Sequence, residues 1–578
     1  SGVAGTVLDD TGGVLPGVTV EVSSPALIEG SRVAFSDGEG RYNVIELVPG
    51  TYAVTFTLPG FATIVREGIE LTSGFTAQVN ADMQVGGIEE TITVTGQSPV
   101  VDVQNVRAQN VLTEELLAAL PSNNKSMAML ANVTPGMVGN PDVGGSAGAY
   151  SQQAQVAGFH GKTNSNKYTY DGMTVSNMCG VASVSYIITG SMLEEMVVEI
   201  SGFSAEGSTS SVNMNAIPKQ GSNFLSGSMN GLFANDKMQS SNLSQKLKDR
   251  GLSTGFDINA IFHAEATLGG PFVEDKLWFF TAHRWTGSRN QIAGVFWNKT
   301  QGTPVYTPDL SRQSDQIERL RSNAFRLTWQ MTEKHKLSGF IDVQNNYMPR
   351  HRRQRGFQAP EALNAWNFPP PSGLYQATWV GAVSNRLLLE AGVSTMLQRW
   401  NVTPQDGKGT GGGGVGPNDI AYRELTTGFR YNAAGGSGPY GDRKTDRDAQ
   451  RFSVSYVTGS HNFKTGIKIE QGMDERGSYH NGGIPLEYAF RNGLPSRLTM
   501  YGTPDIADHQ AYDLGKKVKA DMAIFVQDQW TLNRVSLNLG LRMDYFNGES
   551  TAKDVPATRF LGARKFAAVP NVPSWTDI

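Results

Sequence analysis

Apolar and polar residues alternate with a period of two along much of this chain, the spacing of a strand that buries one face. In residues 51–58, Tyr52, Val54, Phe56 and Leu58 share one face, and Thr51, Thr55 and Thr57 share the other. Residues 76–83 repeat the pattern, with Ala77, Val79, Ala81 and Met83 set against Thr76, Gln78, Asn80 and Asp82. Turn chemistry at Asp10-Thr11-Gly12-Gly13, Pro16-Gly17, Asp37-Gly38-Glu39-Gly40, Pro49-Gly50 and Pro59-Gly60 cuts residues 1–86 into short strands, which predicts a small β-sandwich. Asp37 and Glu39 read as turn residues, because the ligand spacing of a calcium loop is missing.

From residue 223 onward the same period recurs in longer segments. Val535, Leu537, Leu539, Leu541, Met543 and Tyr545 alternate with Ser536, Asn538, Gly540, Arg542 and Asp544. Similar faces run through Leu387, Leu389, Ala391 and Val393, through Phe452, Val454 and Tyr456, and through Phe463, Ile467 and Ile469. Apolar-out, polar-in strands of this length suit a lipid-facing barrel with a wet lumen. A soluble sandwich has the same period, so the connections decide. Short links join 325–330 to 337–343, 451–457 to 463–469 and 522–530 to 535–545. Long polar stretches fall between them, at 286–322, 344–375, 399–450 and 471–519. Short turns at one end and long loops at the other are the outer-membrane arrangement. Trp278, Phe279, Phe280, Trp285, Trp329, Trp530 and Tyr545 lie near expected strand ends, where interfacial aromatics belong. Roughly eleven strands are expected, against about 22 in a plugged transporter. An open wall leaves unpaired backbone groups in lipid, so the sequence reads as an incomplete barrel, ending in the loop-like residues 575–578.

Between these regions, residues 100–222 are mixed in character. Thr113 followed by Glu114 and Glu115 starts a short helix, with a hydroxyl N-cap and carboxylates at the positive end of the dipole. The helix stops before Pro121. A glycine-rich loop at Gly144-Gly145 and apolar segments near 168–173, 192–200 and 212–217 follow.

Composition narrows the function classes. With 49 basic and 53 acidic residues the net charge is −4, unlike the basic balance of a nucleic-acid binder. The 66 glycines suit a turn-rich β protein, and mean hydropathy is −0.30. No continuous apolar run reaches the ~18 residues of a membrane helix, which says nothing of a barrel. Cys179 is the single cysteine and reads as a small packed side chain. The eight histidines form no tight metal motif. The run Gly409-Thr410-Gly411-Gly412-Gly413-Gly414 lacks the Lys of a phosphate loop and reads as a flexible outer loop. The residues therefore suggest no metal, cofactor or catalytic group.

Several motifs carry a resemblance. Gly13-Val14-Leu15-Pro16-Gly17-Val18-Thr19-Val20, Ser36-Asp37-Gly38-Glu39-Gly40-Arg41-Tyr42 and Leu47-Val48-Pro49-Gly50-Thr51-Tyr52 resemble the carboxypeptidase-regulatory-like domain, a transthyretin-like sandwich without peptidase activity. The segment Glu90-Thr91-Ile92-Thr93-Val94-Thr95 is similar to a TonB box, a strand handed to the periplasmic energy-coupling protein TonB; by pattern alone it equally reads as one more sandwich strand. Tyr168-Thr169-Tyr170-Asp171-Gly172-Met173, Met192-Leu193-Glu194-Glu195-Met196-Val197-Val198-Glu199-Ile200, Ser204-Ala205-Glu206-Gly207 and Ala216-Ile217-Pro218-Lys219-Gln220-Gly221 together resemble the plug of TonB-dependent receptors, most closely the Oar-like and SusC-like ones. Asn123-Asn124-Lys125, Lys162 and Pro218-Lys219-Gln220 depart from the usual pattern. Lys in place of Arg loses bidentate contacts.

The resemblance implies a mainly β architecture: sandwich 1–86, a linker 87–99 holding the TonB-box-like strand, a small α+β plug 100–222 and an antiparallel transmembrane β-barrel from 223. It implies an outer membrane of the Gram-negative type, with the sandwich in the periplasm. Implied partners are TonB with its inner-membrane energising complex, outer-membrane lipid and lipopolysaccharide, an external solute (oligosaccharide, peptide or protein, or siderophore) and a surface lipoprotein. A secreted multi-domain β adhesin is the rival reading, and it would lack the order of TonB box and plug. For ligand binding, two clusters stand out: the basic run Arg350, Arg352, Arg353 and Arg355, suited to anionic groups, and the aromatic run with Trp366 and Tyr375. A solvated loop and loop packing are the plainer readings of each.

Overall fold

The structure, a computed structural model, describes residues 1–577 except 28–29, 46, 73–74, 87–90, 96–107, 120–132, 139–157, 160–165, 177–185, 189, 209–211, 256, 352–357, 385, 406–413, 437–438, 459–460, 502–514, 533–534, 556 and 558–561. Glu90, residues 123–125, Gly144, Gly145, Lys162, Cys179, Arg352, Arg353, Arg355 and residues 409–413 lie outside the described residues.

The N-terminal strands are β1 (Gly2–Asp9), β2 (Thr19–Ser23), β3 (Ser31–Phe35), β4 (Arg41–Ile45), β5 (Gly50–Thr57), β6 (Thr63–Leu71), β7 (Thr76–Gln78), β8 (Ala81–Met83) and β9 (Thr91–Thr95). They form two facing sheets, β4–β1–β7 with β8 also on β1, and β3–β2–β5–β6–β9. Tyr52, Val54 and Phe56 point into the core between them, as the alternation predicts, and meet Val3, Val7, Tyr42 and Met83 from the other sheet. Residues 76–83 keep their predicted face but break into two strands that pair in parallel with β1. At the break, Val79 N–H donates to Ala4 O, and the Val79 carbonyl crowds Gly5. A Cβ on residue 5 would stand 2.0 Å from that oxygen, so only glycine fits. The Asp37 turn is held by its own carboxylate, which accepts from the Glu39 and Arg41 N–H groups.

The central region holds β10 (Ala108–Thr113), α1 (Glu114–Ala119), β11 (Met137–Val138), β12 (Gly158–Phe159), β13 (Lys167–Tyr170), β14 (Met173–Thr174), β15 (Leu193–Ser201) and β16 (Asn213–Pro218). Five of these strands make one sheet, β10–β15–β16–β13–β14. The Leu116 N–H lies 3.5 Å from the Thr113 hydroxyl, the predicted N-cap.

Beyond it lie β17 (Ser226–Ala234), β18 (Ile258–Val273), β19 (Leu277–Asn298), β20 (Pro308–Thr332), β21 (His335–His351), β22 (Asn364–Phe368), β23 (Gly373–Ser384) and β24 (Leu387–Thr403). Then follow β25 (Ala421–Glu424), β26 (Arg430–Tyr431), β27 (Gly441–Thr458), β28 (His461–Arg476), β29 (Leu486–Arg491), β30 (Leu494–Met500), β31 (Lys516–Leu532), β32 (Val535–Ser550), β33 (Lys553–Val555), β34 (Arg564–Phe566) and β35 (Val569–Asp577). Among the described residues thirteen strands form one meandering sheet, β17–β18–β19–β20–β21, then β22 and β23 end to end in one strand position, then β24–β27–β28–β31–β32–β35. On β32 the residues Val535, Leu537, Leu539, Leu541 and Met543 are all exposed, as a lipid-facing surface requires. Arg542 points the other way and bonds to the central region.

The structure differs from expectation at the loop end. β19 and β20 run for 22 and 25 residues, against the ~9–11 that cross a bilayer. Most of the expected loop 286–322 is thus a strand hairpin that has left the hydrocarbon, where lipid no longer enforces an apolar outer face. The polar stretches 399–450 and 471–519 likewise contain strands, and β26–β25–β29–β30 form a small sheet of their own. Trp278 and Phe280 also depart from the expected interfacial belt. Both are buried on the inner face, Trp278 Nε1 donating to Asn223 Oδ1 at 2.7 Å, whereas Trp285 and Trp329 face outward and are exposed.

Candidate functional site: the plug and its clamp

The central sheet packs on the inner face of the large one. A single apolar cluster joins Leu112, Tyr168, Tyr170, Met196 and Met214 of the centre to Phe280, Ala324, Phe340, Leu374 and Met396 of the wall. Those wall residues come from β19, β20, β21, β23 and β24, and each lies at an inward position of its alternation. Tyr170 meets Phe340 at 4.8 Å between ring centroids. The central region is a cork, and this side of it is greased.

Polar contacts run beside the apolar seam on β19–β21 and continue around the seat to β32. Tyr186 donates to Asp342 at 2.5 Å, and Asp342 also accepts from Ser322. Arg326 reaches Asp171 at 3.0 Å, in the turn between β13 and β14. Burial opposes ionisation of Asp171, but Arg326 and Arg451 outweigh it and hold the carboxyl below its ordinary range. Thr174 donates to Glu470 at 2.6 Å.

The densest contact surrounds Glu206, in the loop after β15. Its carboxylate lies 2.7 Å from Lys464, 3.4 Å from Lys468 and 3.9 Å from Arg451. Glu390 shares Lys464 at 3.2 Å and Arg451 at 3.8 Å. Burial pushes the Glu206 pKa up, and the three cations more than reverse this, so the group stays ionised far below the usual carboxylate range. Beside it, Arg542 donates to the carbonyls of Ala205 and Glu206, and Ala205 N–H donates to Gln527. Wall arginines grip the plug's main chain elsewhere too: Arg284 holds Ile187 O and Ile188 O, and Arg447 holds Ser176 O. The spacing Ser204-Ala205-Glu206-Gly207 was visible in the sequence; its partners, 245 (Arg451 to Glu206) to 337 (Arg542 to Ala205) residues away in the chain, were not.

The residues singled out for ligand binding are placed as follows. Arg350 is buried, 1% exposed, with its guanidinium 2.5 Å from Asp315, which also pairs with Arg289 at 2.6 Å. The structure thus corrects the solvated-loop reading for Arg350, because β21 continues through it and carries it inward. Trp366 is buried against Trp400, 4.6 Å between centroids, with Phe368, Met348 and Val402 around it, as the loop-packing reading describes. Trp366 pairs with Met348, two residues before Arg350, so those two lie at one end of the wall. Tyr375 is apart from them: it alternates with the inward Leu374 and Gln376, is half-buried, and donates its hydroxyl to Pro371 O. Of the TonB-box-like segment, residues 91–95 form β9, in parallel register with β6 from Thr63↔Thr91 to Glu67↔Thr95.

Outside the wall's end, sequence reasoning missed a second cluster, Tyr422, Tyr431, Phe490 and Ala359 with Tyr306 and Phe429 against it. Glu361 is fully buried beside it. It accepts from the Asn432 N–H, and burial raises its pKa to about 7. No sequence signal marks it, since it is a lone acid in a loop.

Residues 2–84 match the carboxypeptidase regulatory-like domain, and residues 296–563 match an outer membrane beta barrel domain. With a plug packed inside the wall, these define the class: an outer-membrane β-barrel domain behind an N-terminal regulatory-like sandwich, an arrangement similar to that of TonB-dependent receptors. Among individual proteins it is related to the TonB-dependent transporter Oar of Myxococcus xanthus, 22% identical over 624 residues that cover 94% of this chain and 57% of that protein. Its fold is that of the outer membrane transporter YddB from Escherichia coli, at a TM-score of 0.52 and 14% identity, over 76% of this chain and 58% of the other. The siderophore receptor PirA from Acinetobacter baumannii aligns over 77% of this chain and 59% of its own, at a TM-score of 0.46 and 12% identity. The chain thus spans less than two thirds of the relatives it matches.

Proposed function

We propose that this protein imports an external solute across the outer membrane by TonB-coupled movement of the plug. The observation that carries the reading is the asymmetry of the plug's seat: polar contacts run around it from β19 to β32, but among the described residues the apolar seam meets β19–β24 alone, which leaves ion pairs and main-chain hydrogen bonds to hold the plug against β27–β32. Polar contacts that water can replace release more readily under a pull than a closed apolar core, so that side is the candidate path. TonB, with its inner-membrane energising complex, would pair with residues 90–95 and pull on the plug that follows them. Lipopolysaccharide would surround the wall. A surface lipoprotein and the basic residues Arg352, Arg353 and Arg355 would act at the outer end, where a bulky oligosaccharide, peptide or protein, or a siderophore, would enter, with the buried Arg350 and Trp366 shaping that end from within.

The test is thiol exposure in living cells. With Cys179→Ser and Ser204→Cys, a membrane-impermeant maleimide applied in complex medium should label residue 204 in cells that have TonB. Labelling should vanish in cells without TonB and in a variant lacking residues 90–95. Equal labelling in all three strains would remove the energy-coupled reading.

A further inference from the structure

The candidate TonB-box strand is held as the terminal strand of a sheet, which bears on how a partner would meet it. β9 pairs with β6 along its full length, five register pairs from Thr63↔Thr91 to Glu67↔Thr95. Among the described residues β6 is its one neighbour, and the sheet ends there, in the order β3–β2–β5–β6–β9. A terminal strand presents a row of backbone N–H and C=O groups that template another strand. The sandwich beneath is firmly built: Ile64 of β6 packs in a closed core with Val54, Phe56 and Tyr42. No residue of that core belongs to the cluster that joins plug and wall.

We infer that the sandwich is a docking platform: it presents residues 91–95 already extended, and the partner adds its strand to the outer edge of β9 while β6 still holds the inner one. This rests on the reading of residues 90–95 as a TonB box, and it fixes what that reading leaves open. A free segment must be ordered when the partner binds, and that entropy is lost from the affinity. A segment already paired on one side has been ordered by the fold. The sandwich would therefore strengthen binding, whereas a strand that had to leave β6 first would bind more weakly with the sandwich than without it. The partner is a periplasmic protein with an unpaired strand, recognised through main-chain pairing; the probe is the C-terminal domain of TonB.

The full chain in detergent carries Cys179→Ser, Val65→Cys and Thr93→Cys. Paired strands lie ~4.8 Å apart, inside the span a disulfide bridges. Binding of the TonB domain is measured before and after oxidation. The platform predicts ready oxidation and an affinity kept within about twofold, because β9 never has to leave β6. A loss of tenfold or more on oxidation, restored by reduction, would overturn it and make the sandwich a latch. A chain starting at residue 87 provides the second measurement. Its affinity should be at least about tenfold weaker than that of the full chain; an equal or tighter affinity overturns the platform. Heat-dependent mobility of the barrel checks that the shortened chain is folded. A synthetic peptide of residues 86–97 separates the two layers: if neither it nor the full chain binds the TonB domain, the TonB-box reading fails, whereas binding by the peptide with tenfold loss on oxidation removes the platform alone.

Discussion

Replacing Glu206 by Gln removes one charge from the tightest contact between plug and wall. The side chain keeps its length and still offers a carbonyl oxygen. Lys464 and Arg451 then keep Glu390 as their close carboxylate at that point, and Lys468 is left 3.4 Å from a neutral amide. Removing one partner of a buried, hydrogen-bonded ion cluster costs about 3–5 kcal/mol. Because Glu390 retains two of the cations, the lower end of that range applies, about 3 kcal/mol, or a hundredfold in the local opening equilibrium. The assay is amide hydrogen exchange of residues 203–207 in the detergent-solubilised protein. Those amides should exchange about a hundredfold faster in the variant, while β31 and β32 exchange as before. The same contact has a pH signature. The Glu206 pKa lies below its ordinary value of 4.5, so its stabilisation is complete above about pH 4.5 and is lost as pH falls toward the depressed value. Protection of residues 203–207 should fall on acidification in the wild type and be flat in Glu206→Gln. Unchanged exchange in the variant, or equal loss of protection throughout the wall, would refute the clamp.

Glu361 titrates in the opposite sense. Its pKa is raised to about 7 from 4.5, so the outer-loop cluster is most stable below pH 4.5 and loses up to about 3 kcal/mol as pH rises through 7. Limited proteolysis of residues 421–431 and 486–500 should accelerate as pH rises from about 4.5 to 7 and level off above that, and Glu361→Gln should abolish the change. Arg350→Met leaves Asp315 buried with only Arg289, and should destabilise the outer end of β20 and β21 by about 3 kcal/mol, read as faster exchange there. Trp366→Ala empties the centre of the Trp400–Phe368 cluster and should cost about 3–5 kcal/mol of local stability, measured by urea-dependent exchange of β22.

Legibility in the sequence followed the reach of the governing interaction. The β27–β28 and β31–β32 hairpins could be read because a period of two and a short link are local facts. The sandwich was equally plain, except at Val79, where a close approach to Gly5 splits one strand into two. The β19–β20 extension was hidden because beyond the hydrocarbon its apolar residues, Ile292, Val295, Phe296 and Trp297, break the period of two among Arg289, Gln313 and Asp315, and so the stretch resembles a loop. Trp278 and Phe280 looked like interfacial aromatics because nothing nearby in the chain says that a plug fills the lumen. The Glu206 clamp joins residues from six separate elements, and no spacing rule reaches that far. Glu90, Arg352, Arg353 and Arg355 lie outside the described residues.

The wall holds much of the plug by its carbonyl oxygens, at Ser176, Ile187, Ile188, Ala205 and Glu206. Main-chain oxygens are the same whatever the side chain, so substitutions at Ser176, Ile187 or Ala205 leave these contacts standing. Displacement of the plug does not. Arg284 spans the adjacent carbonyls of Ile187 and Ile188, and Arg542 those of Ala205 and Glu206, so a shift of the plug that draws these oxygens beyond hydrogen-bond reach, about 3.5 Å, releases each pair together. The fastening behaves like a toothed rack: indifferent to what each tooth is made of, and released by travel.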